Sequence, residues 1–242
     1  MMVQPYLDNT TDKKTQVALM FDNISHRYDF LNHFLSLGID RYWRKKAVNF
    51  LKDKKHEFIL DVATGTGDFA IAVLKKLKPA KITGIDISEK MLEIGKRKIA
   101  AKFPSANIEL LTGDSEKLKF EENLFDAAIV AFGVRNFENL EKGLCEIYRV
   151  LKSGGWFVVL EFSRPSRFPV KQFYGFYFKN ILPVIGKIFS KDSRAYKYLP
   201  ESVSAFPEKE NFLDFLHQTG FIQCSFKALT FGIASIYTAQ KK

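Results

Sequence analysis

Between residues 58 and 162, short apolar runs rich in β-forming residues alternate with amphipathic stretches. Phe58–Ala63, Lys81–Asp86, Ile108–Leu111, Phe125–Ala131 and Trp156–Phe162 have the length and composition of buried strands. Among the stretches between them, the clearest has Phe137, Leu140, Leu144, Ile147 and Leu151 at steps of three and four, the period of one helix face. Strands separated by helices predict βαβ units, hence a parallel sheet covered on both faces. Ser153-Gly154-Gly155 is expected to stop the last of these helices before the fifth strand.

Two parts fall outside this rhythm. Residues 10–57 read as helical, with Ile24, Tyr28, Leu31 and Leu35 on one stripe. Residues 164–200 are punctuated by proline, basic and aromatic, with Phe168, Phe173, Tyr174, Phe176, Tyr177, Phe178 and Phe189. A helix near 208–218 and two β-rich runs, Phe221–Phe226 and Gly232–Thr238, close the chain. Two strands joined by so few residues must be antiparallel, because a parallel pair needs a long crossover. The expected organisation is a single domain over 1–242. It has a helical front (1–57), an α/β core (58–163), a helical lid insertion (164–200) and a closing helix with antiparallel strands (201–242).

Composition narrows the class. At 242 residues, 46% hydrophobic and 26% charged, the chain has ordinary globular values, and neither a disordered nor a collagen-like sequence fits them. Its two cysteines, Cys145 and Cys224, form no metal or redox motif and suit a reducing compartment. The start, MMVQPYLDNTTDKK, is polar and lacks the apolar core of a secretory signal. No apolar run approaches the roughly 18 residues of a spanning helix. A cytoplasmic protein is expected, peripheral on the inner face of the membrane if it touches one. The net charge of +10 is uneven: +3 over residues 1–60, +1 over 61–160 and +6 over 161–242. Such an excess suits a nucleic acid or an anionic membrane, and still more a merely solvated surface.

Asp61 to Ala70, DVATGTGDFA, follows a predicted strand and opens a helix. Gly65-x-Gly67-x-x-Ala70 is the glycine-rich βα turn of a nucleotide fold. Asp86 ends the second strand nineteen residues after Gly67, where a carboxylate can accept from both ribose hydroxyls. Asp61 and Asp68 flank the turn; two carboxylates there would repel a pyrophosphate but suit a cation or an amino group. Gly113-Asp114-Ser115 follows the third strand, where an Asp can take a proton of the adenine amino group. These cues favour S-adenosylmethionine, which has no phosphate, over NAD.

The chain resembles the class I methyltransferases, and among them the UbiE/MenG/Coq5 quinone-biosynthesis C-methyltransferases, along nearly its whole length. The resemblance is carried by FDNISHRYDFLNHFLSLGIDRYWRKK (residues 21–46), LDVATGTGDFAI (60–71), GIDISEKML (84–92), FGVRNFENLEKGLCEIYRVLKSGGWFVVLEFSRP (132–165) and YKYLPESVSAFP (196–207). It implies a Rossmann-like seven-stranded α/β sheet with the last strand antiparallel, and methylation of a ring carbon on a prenylated quinol. The resemblance covers two acceptors; demethylmenaquinol is preferred because no feature of the chain demands the benzoquinol precursor of ubiquinone, which stays as the alternative. Matched residue by residue, the donor contacts fall on Thr66, Asp86, Asp114 and Ser115; Gly65, Gly67 and Asp61 complete the candidate cofactor site. Two positions depart from the family. Ala131 stands where serine is frequent, which removes a hydroxyl contact, and Thr64 stands where glycine is common. A homodimer is compatible with the resemblance.

A ring carbon is a weak nucleophile until its neighbouring hydroxyl is ionised or strongly polarised, so a cation or a good donor is needed at that oxygen. Arg135-Asn136, just beyond the fourth strand, is placed for this, because ligands sit outside strand C-terminal ends. Arg135 and Asn136 are the expected catalytic pair. Tyr28 is expected to close the pocket and relay a proton, with Asp29 and water as the other candidates for accepting the ring proton. Among 164–195, seven bases face one acid, Asp192, an arrangement that suits a lid over a greasy acceptor at an anionic membrane surface.

Other chemistries lack their motifs. His26 and His33 lie seven apart, roughly 10 Å along a helix axis, too far to share a metal. No HExxH, CxxC or Gly-x-Ser-x-Gly occurs, and no metal is expected. Ala131-Phe132-Gly133-Val134 replaces the Asn/Asp-Pro-Pro-aromatic run of nucleic-acid amino-methylating enzymes, so no nucleic acid partner is expected. RNA methylation, NAD-dependent oxidation and a cofactor-free binding module remain as rival classes.

Overall fold

The computed structural model describes residues 3–6, 11–181 and 193–242. Five strands run parallel: Phe58–Val62 (β1), Lys81–Asp86 (β2), Ile108–Thr112 (β3), Phe125–Ala131 (β4) and Leu151–Phe162 (β5). Ala234–Gln240 (β7) runs antiparallel to β5 and to Ile222–Leu229 (β6). The sheet order is β3-β2-β1-β4-β5-β7-β6, seven strands with the last in the chain antiparallel, as expected.

Alternation along the strands builds two cores. Leu60, Val62, Val130 and Phe157 face Leu144 and Ile147 of Leu140–Val150 (α5) and Phe212 of Glu210–Thr219 (α8). Ile59, Ile129, Val158 and Leu160 face Trp43 and Ala47 of Ile39–Phe50 (α2) and Phe69 and Val73 of Asp68–Leu77 (α3). Glu89–Lys102 (α4) lies beside β2 and β3, its first turn capped by Ser88 Oγ, which accepts from the Met91 amide.

The helical front is Lys13–Leu35 (α1) followed by α2. Val17 and Met20 of α1 pack against Ala195 and Tyr198 of Ser193–Ala205 (α7). Of the expected stripe, Ile24 joins this cluster and Tyr28 lies beside it; the side chains of Leu31 and Leu35 lie outside the described residues. The expected lid begins as Val170–Phe176 (α6), continued by a wider π turn at Tyr177–Ile181. Residues 182–192, with Phe189 and Asp192, lie outside the described residues.

Two local expectations are corrected. α5 ends at Val150, and Leu151 is already extended. Ser153-Gly154-Gly155 therefore does not stop the helix; it lies within β5, where the register against β4 slips between Phe125 and Ala127. The slipped segment is held by the far end of the chain: the Gly154 amide donates to Lys241 O at 3.0 Å and the Lys241 amide to Gly155 O at 2.9 Å. The second difference is α7, which runs through Pro200 and so crosses the expected boundary at 200/201. Proline removes one intrahelical donor there, and contacts with α1 and with the turn after β4 hold the helix on.

Candidate active site

The chain reverses its direction of sheet growth at β1, which has β2 on one side and β4 on the other. Ligands in open α/β sheets bind outside the strand C-termini at such a switch point. A cleft of about 640 Å³ opens there, lined by Gly65 after β1, Asp86 at the end of β2, Asp114 and Ser115 after β3, and Ala131 and Gly133 at the end of β4. Ile85, Ile87 and Met91 supply an apolar wall. Gly65 turns with φ 57°, which a side chain would strain.

The acids differ sharply in placement. Asp86 accepts from the Gly65 amide at 2.8 Å and the Ser88 amide at 2.9 Å, and burial raises its pKa to about 6. Its carboxylate ties the loops after β1 and β2 together and still reaches the cleft. Asp114 accepts from the Glu116 amide at 2.9 Å and from Lys14 Nζ of α1 at 2.6 Å. Asp61, in contrast, is fully buried and does not line the cleft. Its Oδ2 accepts from Thr64 Oγ1 at 2.6 Å and from the Ala70 amide at 3.1 Å, and burial lifts its pKa to about 7. It pins the glycine turn to α3 from behind. Thr64, the second departure from the family pattern, thus donates to one oxygen of a buried carboxylate.

Thr66 and Gly67 also stand off the cleft. Thr66 is buried, its hydroxyl donating to Asp29 and accepting from Lys98 Nζ at 3.0 Å. Lys98 pairs with Asp29 and Asp68, each at 2.7 Å. The charge of Asp68 is therefore spent on a lysine, and the expected pair of carboxylates facing a bound cation is not formed at the glycine turn. Asp29 belongs to this outer cluster and lines neither cavity of the site.

A second, more apolar pocket of about 620 Å³ adjoins the cleft, with Phe21, Tyr28 and Phe132 in the walls of both. Arg135 lines this second pocket, whereas Asn136 lines the cleft, so the expected pair is divided between two cavities. Arg135 is 7% exposed and pairs through Nη1 with the fully buried Glu161 at 2.8 Å. Its Nε donates to Ser202 Oγ of α7 at 3.3 Å, Nη1 also donates to Phe132 O, and the guanidinium lies 5.5 Å from the centre of the Phe162 ring. Asn136 donates to Phe132 O at 3.4 Å, and its Oδ1 is buried without a partner among the described residues. Tyr28 is held neutral, burial raising its pKa to about 12 against the opposing pull of Arg135 and Arg44. Phe132 bends the chain between the two cavities at φ 58°, rare for a bulky residue, and packs against Phe162 at 4.4 Å between centroids.

Sequence reasoning missed Lys14, Glu161, Tyr198 and Asn32, all of which shape these cavities. Each lies in a helix or strand whose apolar pattern is unremarked by one polar position; only the family-like stretches around Asn32, Glu161 and Tyr198 carried a signal. Among the described residues no group of three His, Cys, Asp or Glu side chains could hold a metal.

A methyltransferase from Aquifex aeolicus described as SAM-dependent superposes with a TM-score of 0.60 at 18% identity, over 82% of this chain and 89% of that one. A phosphoethanolamine N-methyltransferase of Haemonchus contortus, solved with S-adenosylhomocysteine, gives 0.60 at 16% identity over 88% of this chain and 59% of that one. They share the fold, and the family match and curated relatives that follow make this a class I S-adenosylmethionine-dependent methyltransferase. Within that class the chain belongs to the ubiE/COQ5 methyltransferase family, whose model it matches over residues 9–241. A demethylmenaquinone methyltransferase of Bacteroides fragilis is 50% identical over 99% of this chain and 97% of its own length. One from Porphyromonas gingivalis is 41% identical over 99% and 98%. A ubiquinone/menaquinone biosynthesis C-methyltransferase of Geotalea daltonii is 47% identical over 96% and 98%. RNA methylation and NAD-dependent oxidation find no support in these relatives.

The residues present fit S-adenosylmethionine. The cleft offers carboxylates at two strand ends, an apolar wall between them, and an unpartnered buried acceptor, Asn136 Oδ1.

Proposed function

We propose that the protein methylates the ring carbon of demethylmenaquinol, yielding menaquinol. The observation that carries this reading is the pairing of two cavities through Phe21, Tyr28 and Phe132, one rich in polar strand ends and the other apolar with a single guanidinium. The names of the relatives at 50% and 41% identity agree with it. S-adenosylmethionine supplies an electrophilic methyl group on a cationic sulfur.

Asp86, Asp114 and Ser115 hold the donor in the cleft, with Gly65 allowing close approach of the backbone. Asp61, Thr66 and Gly67 act from behind, fixing the turn. Arg135 holds the ring oxygen beside the carbon to be methylated and stabilises negative charge on it as the hydroxyl loses its proton. Asn136 meets the same junction from the donor side. A methyl group presented in the cleft would pass to the ring carbon with its bond to sulfur broken; the ring hydrogen then leaves as a proton and the polarised oxygen takes one back from solvent, so that aromaticity is restored and one proton is released overall. Tyr28, neutral and set between the cavities, relays that proton outward and helps exclude water. The prenyl tail leaves over α6, where exposed Phe168, Phe173 and Phe176 and the bases Arg167 and Lys171 suit an anionic bilayer surface.

Incubation of purified protein with S-adenosylmethionine and either demethylmenaquinol or the demethylated benzoquinol precursor, followed by mass spectrometry, tests the reading. Methylation of the naphthoquinol is expected; methylation of the benzoquinol alone would replace it with the ubiquinone reaction, for which the 47% identical Geotalea relative speaks. Methylation of neither overturns both. Arg135→Lys, which keeps the charge but not the fork, should lower turnover about 100-fold while S-adenosylhomocysteine affinity stays within about twofold. Unchanged turnover would remove Arg135 from the chemistry.

A further inference from the structure

Two residues of the apolar pocket carry a polar atom that the protein itself leaves unmet. Tyr198 Oη and Asn32 Nδ2 are both buried with no hydrogen-bond partner among the described residues. Both residues line this pocket, among Met20, Ile24, Phe162 and Leu199, and Tyr198 is 2% exposed. Unpaired buried polar groups are costly and few in folded proteins. Two at one apolar wall are the signature of a cavity whose occupant brings its own polar atoms.

They come from two helices that pack on each other. Asn32 stands one helical turn beyond Tyr28 on α1, and Tyr198 stands one turn before Ser202 on α7. Ser202 braces Arg135 through the 3.3 Å bond to Nε, so the helix that carries Tyr198 also fixes the guanidinium. Arg135 lines the same pocket. The pocket thus holds a cationic point of contact and a neutral one.

We infer that Tyr198 and Asn32 hold the second oxygen of the acceptor ring, the one para to the oxygen that Arg135 stabilises. The inference rests on the reading of the acceptor as a 1,4-dioxygenated ring. The Tyr198 hydroxyl accepts the proton of the remote ring hydroxyl, and the Asn32 amide donates to a lone pair of the same oxygen. One contact alone would let a flat ring pivot in an apolar slot. Two contacts across its axis fix which edge faces the donor cleft, and orientation of this kind is a large share of what a displacement site supplies. The pair also selects against rings that carry a single oxygen, since such a ring leaves both buried groups unpaired.

Anaerobic calorimetric titration of 1,4-naphthalenediol and of 1-naphthol into protein saturated with S-adenosylhomocysteine removes ring oxygen and side chain separately. Wild-type protein should bind the diol about tenfold more tightly than 1-naphthol. Tyr198→Phe should weaken the diol by about that factor and leave 1-naphthol nearly unchanged, with Asn32→Ala acting in the same direction. Affinity for S-adenosylhomocysteine, equal in all three proteins, reports an intact fold; should Asn32→Ala lose it, Tyr198→Phe, which removes one oxygen atom, decides alone. Equal weakening of both rings by Tyr198→Phe, or no weakening of the diol, overturns the inference. Wild-type protein that prefers the diol through Tyr198 yet fails to methylate demethylmenaquinol would overturn the reaction and leave this contact standing. Turnover of demethylmenaquinol indifferent to Tyr198→Phe in KM and kcat would do the reverse.

Discussion

Asp86 serves two masters, the backbone of two loops and the mouth of the cleft, and its protonation separates them. Its pKa near 6 lies above the ordinary aspartate value of 3.8 because burial disfavours the charge. To accept from two ligand hydroxyls while receiving two amides, it must be ionised. Affinity for S-adenosylhomocysteine should therefore rise as pH increases from about 5 to 7 and then level off, and Asp86→Asn should abolish that rise; titration calorimetry at several pH values reads it. Folding stability takes the opposite sign. Asp86 and Asp61 both have folded pKa values above their unfolded ones, the latter about 7, so the folded state binds more protons between those limits. The stability they contribute is complete below about pH 4 and is lost as pH rises through 6 and 7. Thermal unfolding of the ligand-free protein should thus show a falling Tm from pH 5 to 8, and Asp61→Asn should flatten it. A slope unchanged in Asp61→Asn would mean that Asp61 is ionised throughout.

At the scale of elements, the glycine turn depends on how closely α4 can approach it. A Cβ at Gly95 would lie 3.1 Å from the backbone carbonyl of Thr66 and 2.7 Å from Leu110 Cδ1. Gly95→Ala should push the helix off the turn, lowering stability by about 1–3 kcal/mol and weakening S-adenosylhomocysteine several-fold, measured by unfolding in urea and by calorimetry. A variant as stable and as tight as wild type would show that the helix yields freely. Gly95 sits inside an ordinary amphipathic repeat, and nothing in that repeat marks it as a contact. The same limit governs the site as a whole. Strand positions, the parallel core and the reversed last strand were legible because period and crossover length are local properties of the chain. Gly65, Asp86, Asp114 and Ser115 were legible as lining the cleft because they stand at or just beyond strand ends. Tyr198 and Asn32 were not, since what distinguishes them is the absence of a partner, a fact that exists only once α1 and α7 meet. Asp61 and Asp68 misled for a related reason: spacing placed them at the turn but could not say that Thr64 and Lys98 would already engage them.

Across the whole molecule, the distribution of charge bears on where the acceptor comes from. Residues 161–242 hold +6 of the +10, yet the structure divides that excess unequally. Arg164 is engaged by Glu208 at 3.1 Å, whereas Arg167 and Lys171 have no ion pair among the described residues. They stand with Phe168 and Phe173, which are 81% and 71% exposed, and no helix among the described residues is long and apolar enough to cross a membrane. Exposed aromatics of this size on a surface that also carries free bases fit an interfacial contact, the rings entering the headgroup region and the bases facing phosphate. The membrane proposal then makes a divided forecast. Flotation with vesicles containing phosphatidylglycerol should exceed flotation with phosphatidylcholine alone, and the difference should shrink as salt cuts the Debye length from about 10 Å at 0.1 M to about 3 Å at 1 M. Removing two bases with Arg167→Gln and Lys171→Gln should weaken binding to the anionic vesicles by about 2 kcal/mol and spare the residual binding to neutral ones. Phe168→Ser with Phe173→Ser should weaken both. Equal flotation on the two vesicle types, unaltered by either double variant, would place the charge excess on an ordinary solvated surface and require another route for the prenyl tail.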